Sequence, residues 1–123
     1  MRSLLIVEDN PTARSALARL LVRLGGDALI VYTAATLEEG VKISREKSPE
    51  VVLLDLLLPD SPSWRDTIKR IPDFKGSIII ITGMDLENGE KIREAALNAG
   101  ATQVFTKSFF ATNIGSPILP LQG

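Results

Sequence analysis

Two hydrophobic patterns alternate along the chain, and they call for different elements. Residues 4–7 (LLIV), 51–54 (VVLL) and the four isoleucines of 77–81 (SIIII) are apolar without alternation, as strands covered by helices on both faces require. Residues 28–32 and 103–106 complete a set of five predicted strands. Between them, apolar residues return at the helical period. Ala13, Ala16, Leu17, Leu20, Leu21 and Leu24 follow the cap pair Asn10-Pro11. Leu37 and Val41 follow Thr36, which with Glu39 makes a capping box, and Ser48-Pro49 ends that helix. Trp64, Ile68 and Ile71 mark a short third helix stopped by residues 72–76, with Trp64 assigned to packing rather than recognition. Ile92, Ala95, Ala96 and Ala99 mark a fourth, with Gly100 as its stop. Five strands alternating with four helices predict an α/β fold, a doubly wound parallel sheet joined by right-handed crossovers.

The stretch 51–60, VVLLDLLLPD, is broken once, at Asp55, and closes on a Pro-Asp turn. A carboxylate inside an apolar run is costly to desolvate, so it belongs at the strand's exposed end or beside a cation. In doubly wound sheets the ligand crevice lies beyond the carboxyl ends of the strands. The predicted strands place Glu8 and Asp9, Asp55, Thr82 and Lys107 on that one edge. Singly, Lys107 reads as a surface ion-pair partner and Thr82 as a loop cap. As a set they make a coherent chemistry.

Composition narrows what that chemistry is. The 123 residues contain no histidine and no cysteine, which removes thiol nucleophiles, the commonest general base and the softer metal ligands. A cation that relieves the repulsion among Glu8, Asp9 and Asp55 is therefore a hard, oxygen-liganded ion such as Mg²⁺. Glu8 and Asp9 hold it in this reading, and Asp55 is left as a nucleophile towards a phosphoryl group. The Lys107 ammonium and the Thr82 hydroxyl offset charge on the transferring oxygens, with Gly83 leaving room. Lys+Arg 14 against Asp+Glu 15 gives a net charge of -1, which disfavours direct binding to nucleic acid or an anionic membrane. Arg14, Arg19 and Arg23 lie off the first helical stripe, as a solvated face or a docking patch. The apolar run at residues 4–7 is too short for a signal peptide or a span, so a cytoplasmic protein is expected.

In order and spacing, LLIVEDN, VVLLDLLLPD, IIIITG and VFTKS resemble the receiver domain of two-component response regulators over residues 3–110. The resemblance implies a five-stranded sheet of order 2-1-3-4-5. It implies that Asp55 is the residue phosphorylated by a sensor histidine kinase or phosphotransfer protein. Glu8, Asp9 and Asp55, with the backbone carbonyl of Leu57, are then the Mg²⁺ ligands, and Thr82 and Lys107 the phosphoryl-binding hydroxyl and lysine. Such a domain is a switch that accepts a phosphoryl group rather than a turnover enzyme. Receivers border the path of the hydrolytic water with the residues at Leu57 and Met84; both are apolar here, which implies a long-lived phosphoryl group.

The chain departs from the family at Ser108, where proline after a cis bond is usual, and at Val104, where an aromatic switch residue is common. Phe105 is adjacent and belongs to the opposite face of the strand. After Phe110 the sequence ATNIGSPILPLQG has no helical period, so the last helix is expected to be missing or degenerate. The expected organisation is a receiver domain over residues 1–110 and an irregular tail over 111–123, which packs in extended form on its own sheet or in a homodimer. A degenerate receiver acting as a phosphorylation-independent interaction module is the alternative function. An aspartate phosphohydrolase lacks its general acid at Leu57, and a nucleotide or flavin domain lacks a glycine-rich loop after strand one.

Overall fold

The computed structural model describes residues 2–25, 28–83 and 89–108; the expectations for Met84 and for the tail and its dimer lie outside them. The elements run β1 (Arg2–Val7), α1 (Pro11–Gly25), β2 (Leu29–Ala34), α2 (Leu37–Lys47), β3 (Val51–Asp55), α3 (Trp64–Lys69), a 3-10 helix (Ile71–Asp73), β4 (Ser77–Thr82), α4 (Gly89–Asn98) and β5 (Gln103–Thr106). The sheet is parallel throughout, in the order β2-β1-β3-β4-β5. This is the doubly wound arrangement expected from the alternation of runs and stripes.

Strand periodicity sorts the sheet's side chains onto two faces. Leu5, Val7, Val52, Leu54, Ile78 and Ile80 pack with residues of α2, α3 and α4, among them Leu37, Val41, Ile68, Ile92 and Ala96. Leu4, Ile6, Val51, Leu53, Ile79 and Ile81 pack on the other side with Leu17, Ala18, Leu20 and Leu21 of α1. Every residue of β3 is buried, which explains the uninterrupted apolarity of Val51 to Leu54 and makes Asp55 the exception. Val104 joins the first cluster and Phe105 the second, the opposite-face placement that alternation predicts.

Boundaries differ from the sequence reading where pairing overrides hydropathy. β2 begins one residue later and runs two residues further, because Thr33 and Ala34 pair with Ile6 and Val7. The buried face of α1 is rotated towards Leu17, Ala18 and Leu21, which leaves Ala16 exposed. A single methyl contributes too little to set a helix's rotation against several leucines.

α2 starts as its capping box implies, with the Thr36 hydroxyl accepting from the Glu39 amide, and ends at Ser48 in the left-handed region, φ 47°. It also lies very close to the sheet. A Cβ at Gly40 would stand 2.8 Å from Cγ2 of Val7, closer than a packed interior tolerates. The contact presses α2 against the strand that delivers Glu8.

Candidate functional site

β1 and β3 are neighbours at the centre of the sheet, and the chain leaves β1 towards β2 on one side and β3 on the other. The order therefore reverses between them, and the crevice at their carboxyl ends is where such sheets bind ligands. Glu8 directly follows β1. Its amide donates to the Ala34 carbonyl at 3.0 Å, which carries the β1–β2 ladder one step past the strand. The next residues are held by α1. The Asn10 side chain accepts from the Ala13 amide at 3.0 Å, as an N-cap does. The Arg14 guanidinium reaches back to the carbonyls of Glu8 at 2.9 Å and Asp9 at 3.3 Å. Arg14 thus fixes the backbone that presents the acids. Its place near the start of α1, five residues after Asp9, was the only signal for this in the sequence.

Asp55 ends β3, in register with Ile81 of β4. Its Oδ1 accepts from the Leu57 amide at 3.1 Å, and its Oδ2 lies 2.9 Å from Nζ of Lys107. The same ammonium donates to Oε1 of Glu8 at 2.9 Å, joining residues 99 apart in sequence. Carboxylate oxygens of Glu8, Asp9 and Asp55 all lie within 4.8 Å of one another. Glu8 and Asp55 are 3% and 4% exposed, while Asp9 is open to solvent. Of the two alternatives deduced for a carboxylate in an apolar run, Asp55 meets the second: it is buried at the strand's end, and a cation faces it.

Partial burial of the Lys107 ammonium works against its charge, but hydrogen bonds to Asp55 and Glu8, with the field of both carboxylates, outweigh it. The net effect holds its pKa above the ordinary lysine value. Lys107 stays charged at neutral pH. One ammonium against three carboxylates still leaves a surplus of negative charge, and two of the three carboxylates are sealed from water. A donor set of carboxylate oxygens alone, with no nitrogen or sulfur, fits a hard divalent cation.

The remaining expected residues fall on the same edge. Thr82 is buried at the end of β4, in register with Thr106 of β5. Gly83 follows it, and a Cβ there would make an ordinary 3.7 Å contact with Cδ of Lys107. The Leu57 side chain is exposed while its amide turns in towards Asp55. The Lys107–Ser108 bond is trans.

Two parts of the loop after Asp55 escaped the sequence reading. Asp60, expected as a turn former, accepts from the amides of Leu37 at 2.8 Å and Glu38 at 3.0 Å, and so caps a helix begun 23 residues earlier. Burial pushes its pKa up, but the amides of Glu38 and Leu37, its own amide and the Arg70 charge hold it below the usual carboxylate value. Thr67 and Ser61 form a buried hydroxyl pair beneath the same loop. Neither is visible without the tertiary fold, because no local pattern links the partners.

Comparison with known proteins shows what the chain is similar to in sequence and fold. The chain is 33% identical over 109 residues to the KDP operon transcriptional regulatory protein KdpE of Escherichia coli, an alignment spanning 89% of this chain and 46% of KdpE. It is 32% identical over 90 residues to Protein PilH of Pseudomonas aeruginosa, spanning 71% of this chain and 72% of PilH. The chain thus spans less than half the length of KdpE. In fold it is similar to a Burkholderia pseudomallei response regulator solved with a phosphorylated aspartic acid, calcium ion and citrate. There the TM-score is 0.79 at 23% identity, covering 98% of this chain and 68% of the other. The model of the response regulator receiver domain matches residues 4–118, nearly the whole chain, and this chain belongs to the receiver domains of response regulators.

Proposed function

We propose that the chain is a phosphoryl-accepting signalling switch, modified on Asp55 by a sensor histidine kinase or a histidine phosphotransfer protein in the cytoplasm. The observation that carries this is the single ammonium of Lys107 shared between Asp55 and Glu8 at 2.9 Å each, with the Asp9 carboxylate beside them. In the transfer, a carboxylate oxygen of Asp55 forms a bond to phosphorus as the phosphorus–nitrogen bond of the donor phosphohistidine breaks. The imidazole leaves with the electron pair and takes up a proton. Lys107 is placed to move from the carboxylate onto the incoming phosphoryl oxygens, which develop charge as the bond to nitrogen lengthens. Thr82 is the hydroxyl at the neighbouring strand end that donates to one of those oxygens. Glu8, Asp9 and Asp55, with the Leu57 carbonyl, are the residues that would hold Mg²⁺, and the ion when bound supplies neutralisation of charge between the acids and the phosphoryl group.

The phosphoryl group adds about -1.5 to -2 charge at a site already in surplus, so the response is a shift between pre-existing arrangements around the ends of β4 and β5. The chain is modified stoichiometrically and turns over no separate substrate. The alternative, an interaction module indifferent to phosphorylation, draws on Val104, which packs into the core where an aromatic switch is usual. Incubation with acetyl phosphate and Mg²⁺, followed by intact mass, separates the two. Wild type gains one phosphoryl mass and Asp55→Asn gains none. Unmodified wild type, or equal gain in Asp55→Asn, overturns the assignment of Asp55.

A further inference from the structure

The segment from Asp55 to Ser61 carries the proposed phosphoacceptor, yet the β3–β4 register ends at Asp55. Something other than the sheet must fix the residues beyond. The Leu58–Ser61 turn closes the far end, with the Ser61 amide donating to the Leu58 carbonyl at 3.0 Å. Between the two lie Leu56 and Leu57, and the amide of Leu57 is a donor to Asp55. The Leu56 carbonyl meets the hydroxyl of Thr67, which donates to it at 2.8 Å. Thr67 is fully buried, and its oxygen lies 2.6 Å from that of Ser61, itself buried.

Each hydroxyl has a single proton, so these contacts fix one another's direction. If the Thr67 proton goes to the Leu56 carbonyl, the short contact with Ser61 is made by the Ser61 proton and accepted by Thr67. The alternatives, towards the Ser63 carbonyl, are longer, at 3.3 Å from Ser61 and 3.4 Å from Thr67. The ordered chain is Ser61 to Thr67 to the Leu56 carbonyl. A buried carbonyl so held sets the plane of the Leu56–Leu57 peptide, and that same peptide supplies the N–H that fixes Oδ1 of Asp55.

We propose that Thr67 is a positioning residue for Asp55, acting through the Leu56–Leu57 peptide, with Ser61 as the donor that orients its hydroxyl. The inference rests on the reading of Asp55 as phosphoacceptor, and it adds to the site a residue that faces none of the reacting atoms. The test compares Thr67→Val, which keeps shape and loses the proton, with Thr67→Ser, which keeps the proton, and with Ser61→Ala. Two quantities are read well below the melting temperature: the rate of phosphorylation by acetyl phosphate, and hydrogen exchange at the Leu57 amide relative to that of Ile79 in β4.

Thr67→Val is expected to slow phosphorylation about tenfold, as a small misplacement of a reacting group does, and to speed exchange at Leu57 but not at Ile79. Thr67→Ser restores both, and Ser61→Ala falls between. A Thr67→Val protein with wild-type rate and wild-type Leu57 exchange overturns the role. Equal acceleration at Leu57 and Ile79 also overturns it, since that marks a merely structural loss. Should Thr67→Val fail to fold, Ser61→Ala decides by the same two readings. Wild type that accepts no phosphoryl group overturns the function proposed for Asp55, and the Leu57 exchange then judges Thr67 alone.

Discussion

Two clusters of charge among the described residues are built on opposite plans. At the carboxyl edge, Glu8, Asp9 and Asp55 face one Lys107, and two of the three acids are buried. On the α2–α3 flank, Asp60, Glu38 and Asp73 meet Arg70, Arg45 and the first amides of α2. On the flank each of these acids has an arginine or a pair of helix amides as its partner, and a paired cluster of that kind is fabric. At the edge the balance is missing where water is scarce and compensation dear. A fold keeps unbalanced buried charge at a cost to stability, and the return is a place where a cation or an incoming phosphoryl group changes the energy most.

The sharpest break in this comparison is Lys107→Met. It leaves Glu8 and Asp55 buried and unpaired, and a loss of about 2 kcal/mol is expected without divalent cation. That is below the ~3–5 kcal/mol of a fully buried pair because the ammonium is half exposed. Thermal melting with and without Mg²⁺ measures it. Mg²⁺ should raise the melting temperature of Lys107→Met more than that of wild type, and that of Asp9→Ala least. An Mg²⁺ response unchanged across the three would separate Lys107 and the acids into unconnected features.

The two regions also differ in how far the sequence revealed them. Asp55 was legible because it broke an apolar run, and the acids and Lys107 because each stood at the end of a predicted strand. The fold then brought them together by the strand order alone. The flank gave no such signal: Asp60 reads as a turn residue beside Pro59, and its partners at Leu37 and Glu38 are ordinary helix-start positions. Arg14 and Thr67 were hidden for the same reason, since each bonds to a backbone carbonyl, and carbonyls carry no residue identity to read. What sequence reports is which side chains are anomalous in their element; what it leaves out is which backbone groups the anomalies' neighbours must hold.

Asp60→Ala probes the flank where it touches the site's own loop. Removing a helix cap that satisfies two amides is expected to cost about 1 kcal/mol. The effect depends on pH in a defined direction. The folded-state pKa of Asp60 lies below its ordinary value of 3.8, so its contribution is complete above that value and fades as pH falls through the lower, folded value. Melting of wild type and Asp60→Ala should therefore differ at neutral pH and converge in strong acid. A gap that widens on acidification would contradict the cap.

The smallest effect separates the clusters by their exposure to salt. Arg70 binds both Glu38 and Asp73, and those two bonds, with the field of both acids against slight burial, push its pKa further above the already high guanidinium value. It is charged at every accessible pH, so pH cannot switch it off, but salt can. Glu38 is mostly exposed and Asp73 partly so, and interactions of that kind contribute about 0.5 kcal/mol and are screened over about 3 Å at molar salt. Arg70→Gln is therefore expected to lower stability by about 0.5 kcal/mol in dilute buffer and by almost nothing at high salt. Glu8 and Asp55 are shielded from the ionic atmosphere, so the cost of Lys107→Met should persist across the same titration. Chemical denaturation by urea, which leaves ionic strength unchanged, measures both variants at each salt concentration. If the two costs fall in parallel with salt, the edge is as solvated as the flank, and the surplus charge there is no more consequential than a surface cluster.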